Sequence, residues 1–266
     1  MSVPYRAVLD VPRRLVMFLA RLLAAERRRR GTRRNRRALT PFAQAVLVAR
    51  WLRDATRIAA LARDVGVSLA TAYRYVHEGI DVLAAVAPDL QDVLTQARQG
   101  GWTHLLLDGT LIDCDRVTDP VGPDRWYSGK HARHGGNVQV LASPDGKPLW
   151  TSPVEPGATH DLRAARVHVL PALYPAAARD LPTLADKGYT GAGAGIRVPV
   201  RRPRGTQVLA PATRGWNSYI NTCRAPVERA IATLKVRWRA LKHVTLDPGR
   251  IGDITAAALV LTEQGY

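Results

Sequence analysis

Three leucines that run directly into an acid constrain this chain more than any other stretch. Leu105–Leu107 precede Asp108-Gly109. The apolar run indicates a buried strand, and a carboxylate at its end is costly unless a partner compensates its charge. A second stretch has the same design, because Leu181–Ala185 ends at Asp186. The sequence therefore predicts two buried strands that each deliver one acid.

These two acids lie too far apart in sequence for a local turn to join them. We expect Asp108 and Asp186 to meet on adjacent central strands and to share a cation, with Glu228, which lies in a helical pattern, as a third ligand. Carboxylates without a His or Cys cluster favour a hard ion such as Mg²⁺ or Mn²⁺. Two such ions can activate a water or a 3′-hydroxyl for phosphoryl transfer.

Several cations accompany the acids. Arg224, Glu228 and Lys235 fall within about 40° of one another on a helix of about 100° per residue. They form either a site face or a solvated face with intrahelical salt bridges. Together with Lys130 and Lys187, Arg224 is predicted to hold phosphates or to neutralise charge in the transition state.

The charge of the whole chain points to nucleic acid. The 266 residues carry a formal charge of +17, with a pI of about 10.9. Basic side chains that displace condensed counterions gain affinity for phosphate, so we expect double-stranded DNA as the partner. A membrane-surface protein would concentrate this charge on one amphipathic helix, and no apolar run reaches the length of about eighteen residues that a spanning helix needs. Two distant cysteines, Cys114 and Cys223, fit a reducing cytoplasm.

The N-terminal part, residues 1–99, is predicted to be a helical DNA-binding domain. Residues 56–76 have the pattern of a helix-turn-helix, with Gly66 in the turn and Ser68 as the N-cap of the second helix. The prediction places Leu69, Ala72 and Val76 inward and makes Tyr73 and Tyr75 available for contacts. The residues predicted to face DNA are Thr71, Arg74 and His77.

The block Glu26–Arg37 is strongly basic. Two interpretations are open: a solvated linker, or an arm that contacts phosphates, which the overall charge favours.

The remainder, residues 100–266, is predicted to be a mixed α/β domain, because short apolar runs come first and helical patterns are then interleaved with them. Asp145-Gly146 indicates a hairpin turn. The expected strands are His104–Leu107, Asn137–Ala142, Pro148–Ser152, Leu181–Ala185 and Ile196–Val200, and the expected helices are Asp161–Leu173 and Ile220–Leu241.

His160-Asp161 allows two interpretations. The pair is either a further element of the acid site, or Asp161 is the N-cap of the helix that follows. We favour the N-cap, because Asp is well suited to accept the unpaired N–H groups of a first helical turn.

Several motifs in a fixed order resemble the DDE transposases of bacterial insertion sequences, specifically the insertion-sequence-five type. The resemblance covers nearly the whole chain. Its motifs are Leu107–Thr110, Tyr127–His131, Pro156–Leu162, Ala185–Tyr189 and the spacing of Arg224, Glu228 and Lys235.

The resemblance implies an RNase H-like catalytic domain behind the helix-turn-helix domain. It implies Asp108, Asp186 and Glu228 as catalytic metal ligands for Mg²⁺, with two ions, in a bacterial, nucleoid-associated enzyme. The implied function is binding of terminal inverted repeats, followed by DNA cleavage and strand transfer into target DNA by a homodimer or larger assembly. Two alternatives are a DNA-binding regulator that has lost catalysis, and a nuclease of the same fold that does not join strands.

Overall fold

The structure, a computed structural model, describes residues 8–33, 35–117, 124–203, 205 and 208–265. Within these ranges a helical N-terminal part precedes a mixed sheet with helices, which confirms the predicted fold class. The helices of the N-terminal part are α1 (Arg13–Arg29), α2 (Pro41–Asp54), α3 (Ile58–Asp64), α4 (Leu69–Ala84) and α5 (Leu90–Gln99). None of the helices in the described ranges is both long and apolar enough to cross a bilayer.

The C-terminal part begins with strands, and its helices are interleaved with the later strands. Its strands are β1 (Leu105–Cys114), β2 (Tyr127–Ser128), β3 (Arg133–Ala142), β4 (Pro148–Thr151), β5 (Glu155–Pro156), β6 (Thr183–Leu184), β7 (Ile196–Arg197) and β8 (His243–Val244). Its helices are α6 (Asp161–His168), α7 (Leu170–Ala177), α8 (Pro211–Arg224), α9 (Pro226–Arg237) and α10 (Ile251–Glu263).

The sheet is mixed and has β1 at its centre. Its main path is β2-β3-β1-β6-β7; β1 is antiparallel to β3 and parallel to β6. The predicted hairpin is present, since β3 and β4 are antiparallel and Gly146 has a φ of +83°.

Strand β1 is longer than predicted and places Asp108 in its interior rather than at its end. The reason lies in β3, which pairs with β1 from Leu106 opposite Ala142 to Asp113 opposite Gly135. Those ladder hydrogen bonds keep β1 extended beyond Asp108, although its uninterrupted apolar run stops at Leu107.

The turn between α3 and α4 follows the predicted local chemistry. Gly66 has a φ of +67°, and Ser68 caps α4 by accepting a hydrogen bond from the backbone N–H of Thr71 at 3.2 Å. Two predictions of side-chain direction are wrong. Leu69 is 49 % exposed, because it occupies the first turn of α4 before that helix meets the core. Tyr75 is buried, and its hydroxyl lies 3.4 Å from the backbone N–H of Leu39.

Both helices predicted in the C-terminal part are divided in two. The first separates into α6 and α7 around Val169, two residues before Pro171. The second separates into α8 and α9 at Ala225, directly before Pro226. A proline has no backbone N–H to donate and its ring crowds the preceding turn, so each helix restarts there.

The hydrophobic core does not separate at residue 99. One buried cluster joins α1, α2 and α4 to α10, with Leu19, Leu52, Ile80 and Leu259 among its members. A second cluster packs α5 against the sheet and α7. The division into residues 1–99 and 100–266 stays a prediction, while helices on one side of it share a core with a helix on the other.

Part of the basic block is engaged within the protein. Arg37 donates two hydrogen bonds to the buried carboxylate of Glu78, at 2.7 and 3.0 Å, and Glu26 pairs with Arg29 and Arg30. Arg34 lies outside the described residues. The choice between linker and phosphate-contacting arm stays open for the remaining arginines.

Candidate active site

Asp108 and Asp186 stand side by side on neighbouring parallel strands. Leu106 of β1 pairs with Leu184 of β6, and each acid comes two residues later in the same direction. Asp186 lies two residues beyond the end of β6 and accepts a hydrogen bond from the backbone N–H of Gly188 at 2.7 Å. The predicted meeting of these two stretches is thus produced by the sheet itself.

Burial and neighbouring charge act together on Asp108. Desolvation, with the nearby carboxylates of Asp186 and Asp161, raises the pKa of its carboxyl from 3.8 to about 6 against the opposing effect of Arg224. The backbone N–H of Gly109 donates to Asp108 at 2.9 Å, which also favours the charged form. The site therefore concentrates negative charge where water is largely excluded.

Asp161 belongs to this cluster, and the N-cap interpretation is wrong. The cap of α6 is His160, whose Nδ1 accepts from the backbone N–H of Leu162 at 3.2 Å. With the cap position filled by its neighbour, the Asp161 carboxylate turns toward β1. It lies over Gly109, where an added Cβ would be 2.5 Å from Asp161 Oδ1, so the glycine makes room for the acid.

Glu228 stands apart from the two aspartates. Its side chain is 72 % exposed, and one of its oxygens lies 3.8 Å from the Arg224 guanidinium. Arg224 is mostly buried and acts on Asp108 electrostatically, and its Nη1 has no hydrogen-bond partner among the described residues. Arg224 is thus a cation that acts both on Glu228 and on Asp108.

The predicted lysines take three different positions. Lys130 donates to Asp161 at 3.0 Å, Lys187 is exposed directly after Asp186, and Lys235 donates to the backbone carbonyl of Leu111 at 2.8 Å. Burial lowers the pKa of Lys235. A groove of about 380 Å³ runs beside Gly109; its basic lining side chains are His131, Arg133, Lys235 and Lys242.

The three residues predicted to face DNA lie together on a different surface. Thr71, Arg74 and His77 of α4 line one cavity of about 590 Å³. Arg30 and Arg36 of the basic block also line this cavity, as do the acids Glu78 and Asp81. Arg74 also donates to the hydroxyl of Thr71 at 3.0 Å.

Comparison with known families identifies the C-terminal part. Residues 107–263, more than half of the chain, match the family model of DDE superfamily endonucleases. The chain belongs to this superfamily. Neither a curated protein nor a solved structure matches it. Its mixed sheet with flanking helices is accordingly that of an RNase H-like DDE domain.

The candidate site contains residues that the sequence did not single out. Asn137 and Gln139 alternate along β3, so both point to the same face of the sheet, and both are buried. Gln139 accepts from the hydroxyl of the buried Tyr189 at 2.6 Å and donates to Asn137 at 2.9 Å. Two polar residues at spacing two inside an apolar strand were the available signal.

The acids of the candidate site fit a hard divalent ion. No three Asp, Glu, His or Cys side chains of the described ranges converge closely enough to enclose a metal ion by themselves. Mg²⁺ keeps several waters and is commonly held by one or two carboxylates together with phosphates of the substrate. The pair of Asp108 and Asp186, in which the desolvated Asp108 carboxyl is also repelled by the Asp186 carboxylate, is a donor set of this kind.

Proposed function

We propose that the protein is a transposase of the insertion-sequence-five type. It binds the terminal inverted repeats of its element, cuts DNA and transfers the strand to target DNA. The observation that carries the proposal is the Asp108–Asp186 pair on parallel strands, inside the region that matches the DDE endonucleases.

Each acid has a proposed role. Asp108 and Asp186 hold Mg²⁺ or Mn²⁺, with two ions in the active complex, and Glu228 provides the third carboxylate. When bound, such ions would supply polarisation of the scissile phosphate and activation of the attacking hydroxyl. Arg224 lowers the cost of ionising Asp108, because its guanidinium favours the charged form of that carboxyl.

The basic surfaces have separate proposed roles. Thr71, Arg74 and His77 contact the inverted repeat, which accounts for their common cavity with further arginines. Lys130, Lys187 and Lys235, with Arg224, contact phosphates near the cut. Because two ends are joined in one reaction, the active form is a homodimer or larger, acting on DNA in the bacterial cytoplasm.

A cleavage assay tests the acids. Full-length protein is incubated with end-containing DNA and Mg²⁺, and nicked and joined products are separated. Asp108→Asn and Asp186→Asn should each lower cleavage by a factor on the order of 10³ or more, because each removes a charged ligand at the reacting centre. Glu228→Gln should do the same, whereas Asp92→Asn on the exposed face of α5 should cleave like wild type. Wild-type cleavage by all three acid variants would refute the mechanism.

Product analysis separates the transposase from a nuclease of the same fold. A transposase produces joined strands on a target plasmid, while a nuclease produces only hydrolysed ends. Absence of joined products in a reaction that does cut the element's ends would favour the nuclease.

The exposed position of Glu228 favours a second candidate, a DNA-binding regulator that has lost catalysis. Its carboxylate faces solvent and Arg224 rather than the aspartate pair. Under this candidate the wild-type protein binds the inverted repeats tightly and leaves them uncut with Mg²⁺ and with Mn²⁺.

A further inference from the structure

Lys130 brings a positive charge of the protein itself into the acid cluster. Its ammonium nitrogen lies 3.0 Å from Asp161 Oδ2. That hydrogen bond raises the pKa of Lys130, and the charges of Asp161, Asp186 and Asp108 raise it further. One ammonium group thus acts electrostatically on all three carboxylates of the cluster.

The two partners of this ion pair differ in freedom. The Asp161 side chain is 15 % exposed, whereas the Lys130 side chain is 67 % exposed. Lys130 lies in the short turn between β2 and β3, and its ammonium can leave for solvent without disturbing the core. The acid is fixed, and the lysine is the partner that can move.

A chain of hydrogen bonds from Asn137, Gln139 and Tyr189 holds the Asp161 carboxylate in place. Asn137 Nδ2 donates to Asp161 Oδ1 at 2.7 Å and to the backbone carbonyl of Thr159 at 3.0 Å. Asn137 is in turn held by Gln139, and Gln139 by Tyr189. Because these amides and the phenol are buried and paired, they determine the position of the Asp161 carboxylate before any ligand arrives.

We propose that Lys130 is a built-in counter-cation of the acid cluster, held there by Asp161, and that it competes with the divalent ion for these carboxylates. The proposal rests on the proposed metal-dependent function. In the absence of metal the ammonium reduces repulsion among Asp108, Asp161 and Asp186. A bound divalent ion takes over that role and releases Lys130 toward a DNA phosphate. Asp161 is then a positioning residue for Lys130.

Metal affinity tests the competition. Mn²⁺ is titrated into full-length wild type, K130Q, K130R and K147Q, and free Mn²⁺ is followed by its paramagnetic resonance signal. K130Q should bind Mn²⁺ on the order of fivefold more tightly than wild type does, because the Lys130 ammonium and the Mn²⁺ ion compete for one site and are therefore negatively coupled. K130R keeps the charge and should stay near wild type. K147Q removes an exposed lysine of the β3–β4 hairpin and is the matched control.

A second measurement follows the lysine itself. Wild-type protein is acylated with a limiting amount of an amine-reactive reagent, with and without Mg²⁺, and modification of each lysine is quantified by mass spectrometry. Mg²⁺ should raise modification of Lys130 several-fold and leave Lys147 unchanged. Equal Mn²⁺ affinity in wild type and K130Q, or Lys130 reactivity that ignores Mg²⁺, would overturn the proposal.

The outcomes distinguish this proposal from the proposed function. Tighter Mn²⁺ binding by K130Q together with no cutting of DNA would support the counter-cation and refute the transposase. Cleaved and joined DNA products together with equal Mn²⁺ affinities of wild type and K130Q would support the transposase and refute the counter-cation.

Discussion

The fold alone does not compensate the free-energy cost of burying the ionised carboxylate of Asp108. Its carboxyl is desolvated, and two further carboxylates act on it, so its pKa rises to about 6. At neutral pH the native state must therefore hold an ionised group that the unfolded chain ionises more easily. Such a site stores unfavourable electrostatic energy that a bound cation can release.

Asp108→Asn should stabilise the metal-free protein at alkaline pH. Because the native pKa is raised from 3.8 to about 6, wild-type stability falls as the pH rises from about 4 to about 6 and stays low above. At about 1.4 kcal/mol per pKa unit, the variant should gain about 3 kcal/mol at pH 8 and little at pH 4. Urea unfolding in EDTA across this pH range measures the difference.

Two controls accompany this prediction. Asp113→Asn on the same strand loses an exposed pair with Arg133 and should change stability by less than about 1 kcal/mol. Mg²⁺ should raise the unfolding midpoint of wild type and leave that of Asp108→Asn unchanged. A variant that is equally or less stable than wild type at pH 8 would contradict the buried-charge account.

At the scale of elements, the sequence predicted the turns and the helix start that depend on neighbouring residues. Gly66 and Ser68 specify the turn and start of α4 through a left-handed conformation and a side-chain cap. Asp145-Gly146 likewise specifies the β3–β4 turn. Each of these features depends on neighbours within a few residues, so the local pattern was sufficient.

The parts that the sequence did not predict depend on distant partners. Strand β1 continues beyond Asp108 because β3 pairs with it, and no local pattern contains β3. Asp161 faces the acids because His160 occupies the cap and Gly109 leaves space for it. The meeting of Asp108 and Asp186 could be anticipated from two similar stretches, whereas no local pattern predicted that the Glu228 side chain would be exposed.

The start of α4 provides a test of one such local element. Ser68→Ala removes the acceptor for the Thr71 N–H, so the free energy of unfolding should fall by about 1 kcal/mol. Ser68→Asp keeps an acceptor and should remain within about 0.5 kcal/mol of wild type. Chemical denaturation measures both free energies of unfolding. An equal decrease in the two variants would show that the acceptor for the Thr71 N–H is not what stabilises α4.

At the scale of the whole molecule, α10 links the N-terminal helices to the sheet. Leu259 of α10 is buried in the same cluster as Leu52 and Ile80 of the N-terminal helices. Arg250, next to the start of α10, also donates to Asp81 of α4. The two parts should consequently unfold together.

Leu259→Ala tests this linkage. The cavity should cost about 2–5 kcal/mol. In hydrogen exchange, protection should fall in α2 and α4 as well as in α10, because they share one cooperative core. Leu173→Ala in the second cluster is the control and should affect α5 and α7 first. Loss of protection confined to α10 would show that the N-terminal helices fold independently.

The shared core also fixes the distance between the α4 cavity and the acid cluster. The cavity lined by α4 and the carboxylates on β1 and β6 belong to elements joined by packed side chains rather than by a flexible tether. The separation between the two places is therefore set when the chain folds. If α4 reads the end of an element and the aspartates cut it, the distance in base pairs from the recognised sequence to the broken phosphodiester bond is a constant of the protein, fixed by the packing of α10.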